Sequence, residues 1–243
     1  MKDNSKHMPT SIMRHLLGFR SLLWIVGFCV VITIIYGILL IWPNLLNSLW
    51  LSSDHSWGIF SSIFAHAEFV HLLGNISAFV AGLILFVLVS QADNTKLRSQ
   101  WSQGLVLMSF IGGIGANLLE YIIGFVRPIG QSWGASGVGY ALIGVVLAKS
   151  LLSAPNGFQD LPYLVHRKKQ KNPSQERRIN EIQSNVMSLV IAAIIVVYIV
   201  ISPAVFLNVA PNVDVFAHGV GFLIGLFGFW LFFYRDFTSK RNR

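Results

Sequence analysis

Charge is what this sequence has least of. Asp, Glu, Lys and Arg make up 12% of its 243 residues, about half the share a soluble domain carries. That shortage excludes a large water-facing surface. Cysteine is almost missing too. The single Cys29 lies in an apolar run, so no disulfide framework exists. The aspartates Asp3, Asp54, Asp93, Asp160, Asp214 and Asp236 all fall in loops, tails or the edges of apolar runs. This excludes a pair of aspartates working together inside a membrane. The zinc motif H-E-x-x-H does not occur, and His66-Ala67-Glu68 does not replace it. No metal and no cofactor are therefore expected. The apolar runs do not pair into two similar halves of the kind on which many transporters are built.

What the chain has instead is apolar residues, 54% of the total, with a mean hydropathy of +0.63. They cluster in runs long enough to cross a bilayer. These predict an all-α membrane protein with six spans, at roughly 21–42, 69–90, 103–125, 135–152, 184–203 and 214–234. Residues 1–20 and 236–243 are expected as tails, and 153–183 as a polar, basic loop. The start, "MKDNSKHMPTSIMRHLLGFR", is too polar for a cleaved signal peptide, so the first span is expected to insert and stay. The first and fifth runs are uniformly apolar and read as bland packing helices. The other four carry Gly, Asn, His, Ser or Glu and read as inner helices, since polar groups in a bilayer face protein or water.

A net charge of +8 raises the question of nucleic acid, but the bases are not gathered as a nucleic-acid patch would be. They lie in the N-terminal tail, around Lys96 and Arg98, over 167–178, and after Arg235, while the intervening loops carry only Arg127. That alternation places both termini in the cytoplasm and loops one, three and five outside. The basic loop is expected to meet anionic lipid.

Three polar residues fall at matching depth. Ser136 stands 13 residues before Lys149, or about 20 Å along a helix. His218 stands 17 residues before Arg235 and Asn75 stands 16 before Gln91, about 25 and 24 Å. In a hydrocarbon layer of about 30 Å, all three sit below the outer surface. The segment "RPIGQSWGA" before Ser136 must then enter the membrane as irregular backbone, which requires protein or a water-filled cavity around it.

Each of these residues has two readings. In "FAHAEFVHLLGN", His71 and Asn75 are i and i+4, so they share a helix face and can donate to one point. Alternatively, Asn75 binds helices together and His71 bonds a loop carbonyl. In "WGASGVGYAL", Gly134 and Gly137 flank Ser136, and Tyr140 follows one turn later. This is either a small-residue packing site or a nucleophile, and a serine nucleophile needs a base. "VDVFAHGVGFLIGLFG" offers one. His218 carries Gly221 and Gly225 on its own face, which lets span six approach a partner helix closely. If that partner is span four, His218 reaches Ser136 with a pKa suited to taking its proton. Asp214, four residues earlier, is a candidate to orient His218. Glu120 is a further intramembrane acid, more suited to a structural hydrogen bond with a loop.

Together these residues resemble the rhomboid family of intramembrane serine proteases, over roughly 20–235. Three motifs carry the resemblance, in order: His66-x4-His71-x3-Asn75, Gly134-x-Ser136-Gly137 with Tyr140, and Ala217-His218-x2-Gly221-x3-Gly225. It implies a six-helix bundle whose short fourth helix starts inside the bilayer, and a Ser–His dyad without an acid. Carried over, Ser136 is the nucleophile and His218 the base. His71, Asn75 and the Ser136 N–H form the oxyanion hole, Tyr140 packs on His218, and His66 holds loop one. The implied partners are transmembrane protein substrates cut in or near their helices, at the cell membrane. Oligomeric state is not implied. The chain departs from the family in two places. Trp57 is followed by Gly58 where an Arg is common, and Gly82 is followed by "LILF" with no acid. Two rivals remain: a proton-coupled transporter using His71, His218 and Glu120, and a non-catalytic relative that only binds membrane helices.

Overall fold

The computed structural model describes residues 18–91, 93–126, 131–165, 173–201 and 215–241. Among them are six helices long and apolar enough to cross a membrane. We label them α1 (Leu23–Ile41), α2 (Phe69–Val89), α3 (Thr95–Gly124), α4 (Ser136–Val165), α5 (Pro173–Ile201) and α6 (Val215–Arg241). Helices are what such runs must form, because hydrocarbon offers no partner for an open backbone. The chain is a multi-pass membrane protein.

The expected inner set of four spans narrows to one. The membrane window of α4 is 83% buried, against 22% to 39% for the other five. α4 is the central post, and α3, α5 and α6 pack along it. Phe28 ties α1 to its neighbours through edge-on contacts with Phe64, Phe79 and Phe110, with ring centroids 5.4, 5.6 and 5.0 Å apart.

Polarity misled the span boundaries at the basic ends. Residues 153–165 and 173–183, expected as loop, extend α4 and α5. α4 thus runs 30 residues instead of ending at 152. The α4 extension is held against α5. A Cβ on Gly157 would lie 2.5 Å from the Asn185 carbonyl oxygen, and the Asn185 amide donates to Asp160 Oδ2 at 2.9 Å. Likewise α6 continues through the expected tail to Arg241. Low hydropathy marks where a helix leaves hydrocarbon, not where it ends.

Two basic residues used to orient and measure the spans are buried. Arg98 lies within α3 and donates to the carbonyls of Ser90 and Gln91 at 3.2 and 2.7 Å, closing the end of α2. Lys149 is 3% exposed and pairs with Asp93 at 3.1 Å, with Trp101 beneath its ammonium group. At the other end, Asn117 donates to the Ile59 carbonyl and to Ser62 Oγ, pinning loop one to α3.

Candidate active site

The starts of α2, α4 and α6 meet at one end of the bundle. The backbone leading into α4 is irregular, and loop one satisfies it. Leu51 and Ser132 exchange N–H···O bonds of 2.8 and 3.1 Å, and Gly134 N donates to the Ser62 carbonyl at 2.9 Å. Gly134 itself has φ +117°, and a Cβ there would lie 2.5 Å from His71 Cε1. Only glycine serves both the dihedral and the space. Loop one closes by a similar close approach. A Cβ on Gly58 would strike the Trp50 carbonyl oxygen, and Trp57 Nε1 donates to the Ser48 carbonyl. The glycine that stands where the family often has arginine is therefore a packing requirement.

His66 is fully buried and joins α2 to the approach to Ser136. Its Nε2 receives the Ala135 backbone N–H at 3.4 Å and faces Asn75 Nδ2 at 2.8 Å. A backbone N–H only donates, so Nε2 is the acceptor and the ring proton sits on Nδ1. The Asn75 amide then donates, and its second N–H is available to another acceptor. Burial, with the nearby His71 adding to it and a hydrogen bond from the ring to the Phe64 backbone opposing it, pushes the His66 pKa down to about 4. Charging would also turn Nε2 into a donor facing two donors.

A pH dependence follows. Between about 4 and 6.5 the unfolded chain binds the proton and the folded one does not. Stability from neutral His66 is therefore full above about 6.5 and is lost as pH falls towards 4. Melting curves in detergent should shift downward over that window, and His66→Gln, which keeps an acceptor, should flatten the shift. An unaltered slope in the variant would remove His66 from this role.

α6 meets α4 at glycines. A Cβ on Gly221 would strike the Gly137 carbonyl oxygen, one on Gly225 that of Ala141, and one on Gly144 that of Phe222. At this approach the Tyr140 ring stacks on His218, with centroids 4.2 Å apart and planes 22° off parallel. A Cβ on Gly137 would lie 3.3 Å from Gly113 Cα on α3.

Ser136, His218, His71 and Asn75 all line one cavity of about 470 Å³. His218 and Asn75 are buried, while Ser136 and His71 are half-buried. Ser136 opens α4, so its N–H lies in the first turn, where helical N–H groups have no acceptor within the helix. Gly134, Gly137, Gly221 and Gly225 do not line the cavity; they make the close approaches to His71, Gly113, Gly137 and Ala141 that surround it. Glu120 is buried near the end of α3 and does not line the cavity. Asp214 lies outside the described residues. Span five, uniformly apolar in sequence and a candidate for a lateral opening together with span two and the outer loops, brings Ile194, Ile195, Tyr198 and Ile199 of α5 to the same cavity. Tyr198, the only tyrosine in an aliphatic run, was the available signal.

A family model of the rhomboid domain matches residues 53–235. The chain belongs to the rhomboid family. The match takes in α2 to α5 and most of α6, with the whole cavity, and begins within loop one, after α1. No curated protein and no solved structure matches the chain. Rhomboid proteins are typically intramembrane serine proteases acting on transmembrane substrates, and the three motifs fall within the matched rhomboid domain.

Proposed function

We propose that this rhomboid protein is an active serine endopeptidase that cuts membrane proteins in or near a transmembrane helix. One observation carries the proposal: a single cavity takes Ser136, His218, His71 and Asn75 from three helices. His218 accepts the Ser136 proton as Oγ attacks the scissile carbonyl, and then returns it to the leaving amine. The resulting acyl-enzyme is hydrolysed by water that His218 activates in turn. The oxyanion is held by the Ser136 N–H, the second Asn75 N–H and His71. Each such donor is worth about 2.7–4 kcal/mol in the transition state. Tyr140 fixes the imidazole plane, and His66 positions Asn75.

The cavity lies between α2 and α5, with Gly74, Ala78 and Ala81 on one wall and Ile194, Tyr198 and Ile199 on the other. The substrate helix enters there and unwinds locally, so glycine, proline or small residues near the cut should favour cleavage. The catalytic unit includes α1, which Phe28 joins to the core. The basic ends face the cytoplasm, which opens the site to the opposite side of the cell membrane. Glu120 stands away from the cavity, so a relay through His71 and His218 lacks its acid.

A fluorophosphonate probe tests the dyad directly. The label should sit on Ser136 and be lost in His218→Ala. Undiminished labelling in His218→Ala would overturn the dyad.

A further inference from the structure

On the side of the bundle away from Ser136, a cleft of about 770 Å³ opens between the start of α1 and the first turns of α3. Its lining divides by chemistry. Arg20, Ser21, Ser99 and Gln103 bring a guanidinium, two hydroxyls and an amide, and Leu23, Trp24 and Gly27 continue from them along α1. Ser99 and Gln103 are i and i+4, so one face of α3 presents both. The rim is held in place: Ser102 Oγ donates to the Gly18 carbonyl at 3.1 Å. Arg20 is exposed and forms no ion pair among the described residues.

The level of the cleft is set by Trp24, which is 74% exposed and stands one turn into the membrane from Arg20. Tryptophan's amphipathic ring favours the headgroup level. The polar end of the cleft therefore lies among headgroups, and its apolar floor runs down into the acyl layer. A ligand that fits has an anion at one end and hydrocarbon at the other. Inorganic phosphate would meet Arg20 and leave the floor bare.

We propose that this cleft binds one anionic phospholipid from the leaflet beside the basic segments. Its phosphate sits on Arg20, with Ser21, Ser99 and Gln103 donating to its oxygens. One acyl chain lies along Leu23, Trp24 and Gly27. Charge-assisted hydrogen bonds from a guanidinium to phosphate are among the stronger ones a protein makes. This separates a single seat from diffuse attraction to the surface.

Native mass spectrometry of the full chain in neutral detergent tests it, with palmitoyl-oleoyl phosphatidylglycerol and phosphatidylcholine supplied in equal amounts. Phosphatidylglycerol should be retained about tenfold better. Arg20→Gln should reduce that preference to near unity. Gly27→Leu should lower retention of both lipids, since a Cβ there meets nothing within 4 Å and the longer side chain would occupy the floor. Arg178→Gln, an exposed base on the same side, should leave the preference as it was. Excess inorganic phosphate should not displace the lipid. Equal retention of the two lipids by the wild type would overturn the proposal. So would an equal loss in Arg178→Gln and Arg20→Gln, or displacement by inorganic phosphate with Gly27→Leu unaffected. Melting curves report whether each variant is folded. If Arg20→Gln is not, Arg20→Lys and Gly27→Leu carry the test.

Discussion

Ser136→Ala is expected to abolish cleavage of a transmembrane substrate in liposomes, by on the order of 10⁴-fold or more. The serine hydroxyl is the group that forms the acyl-enzyme, and nothing else lining the cavity replaces it. The neighbouring nucleophile by chemistry, Tyr140, has its ring engaged against His218. The same substitution should hardly change stability. Ser136 is half-buried and makes no side-chain hydrogen bond among the described residues, so removing Oγ leaves no buried group unpaired. Cleavage and melting should therefore separate: activity goes, and the melting temperature stays. Full cleavage by Ser136→Ala would sink the protease assignment. A wild type that binds transmembrane helices but never cuts them would favour the non-catalytic relative.

The second large effect is structural. Gly225→Leu should prevent α6 from seating on α4, lowering the melting temperature sharply and abolishing fluorophosphonate labelling. A Cβ at 225 would overlap the Ala141 carbonyl oxygen, with Ala141 C and Cα at 2.7 and 2.8 Å. The obstacle is backbone, so no rotamer change relieves it and the helices must part. Overpacking of a core side chain typically costs about 1–3 kcal/mol, and a backbone collision lies at or beyond the upper end. The displacement acts along the face that carries His218, so the base moves away from Ser136. Gly219→Ala is the control. A Cβ at 219 meets nothing within 4 Å, and alanine is the better helix residue by about 0.5–1 kcal/mol. Equal melting temperatures for Gly225→Leu and Gly219→Ala would show that α6 does not approach α4 as described.

These two predictions differ in how far the sequence alone supports them. The spans were legible because hydrocarbon permits so little: each crossing needs a long apolar run, and each polar residue inside one stands out. Ser136, His218 and Asn75 were found that way, as exceptions at a shared depth, and His71 as the residue one turn before Asn75 on its face. The depth of Ser136 was measured from Lys149 on the assumption that the first charge marks the membrane edge. Lys149 is instead a buried partner of Asp93. Asp93 belongs to the short connection between α2 and α3, so the charge that served as a ruler is part of the packing between segments. Spans two and five and the outer loops were all candidates for a lateral opening, and which of them lines the cavity was not legible. Isoleucines facing a cavity and isoleucines facing lipid look alike in a hydropathy pattern, since both surroundings are apolar. The extension of α4 and α5 into 153–183 was missed for a related reason. The pattern reports the solvent a residue meets, and the contact between Gly157 and Asn185 that keeps both helices going is invisible to it.

The sequence by itself determined that this is a six-span membrane protein, and it singled out a serine, a histidine and an asparagine at corresponding positions along three spans. The bilayer makes composition and position along each run nearly sufficient for that. Only the tertiary structure decided which of those residues share a cavity. It also decided that Nε2 of His66 joins Asn75 to the serine's approach, and that the glycines of α6 rest on the carbonyls of α4. Those facts depend on how helices distant in sequence approach one another. That approach is set by backbone clearance and by hydrogen bonds between segments, and no local pattern records either.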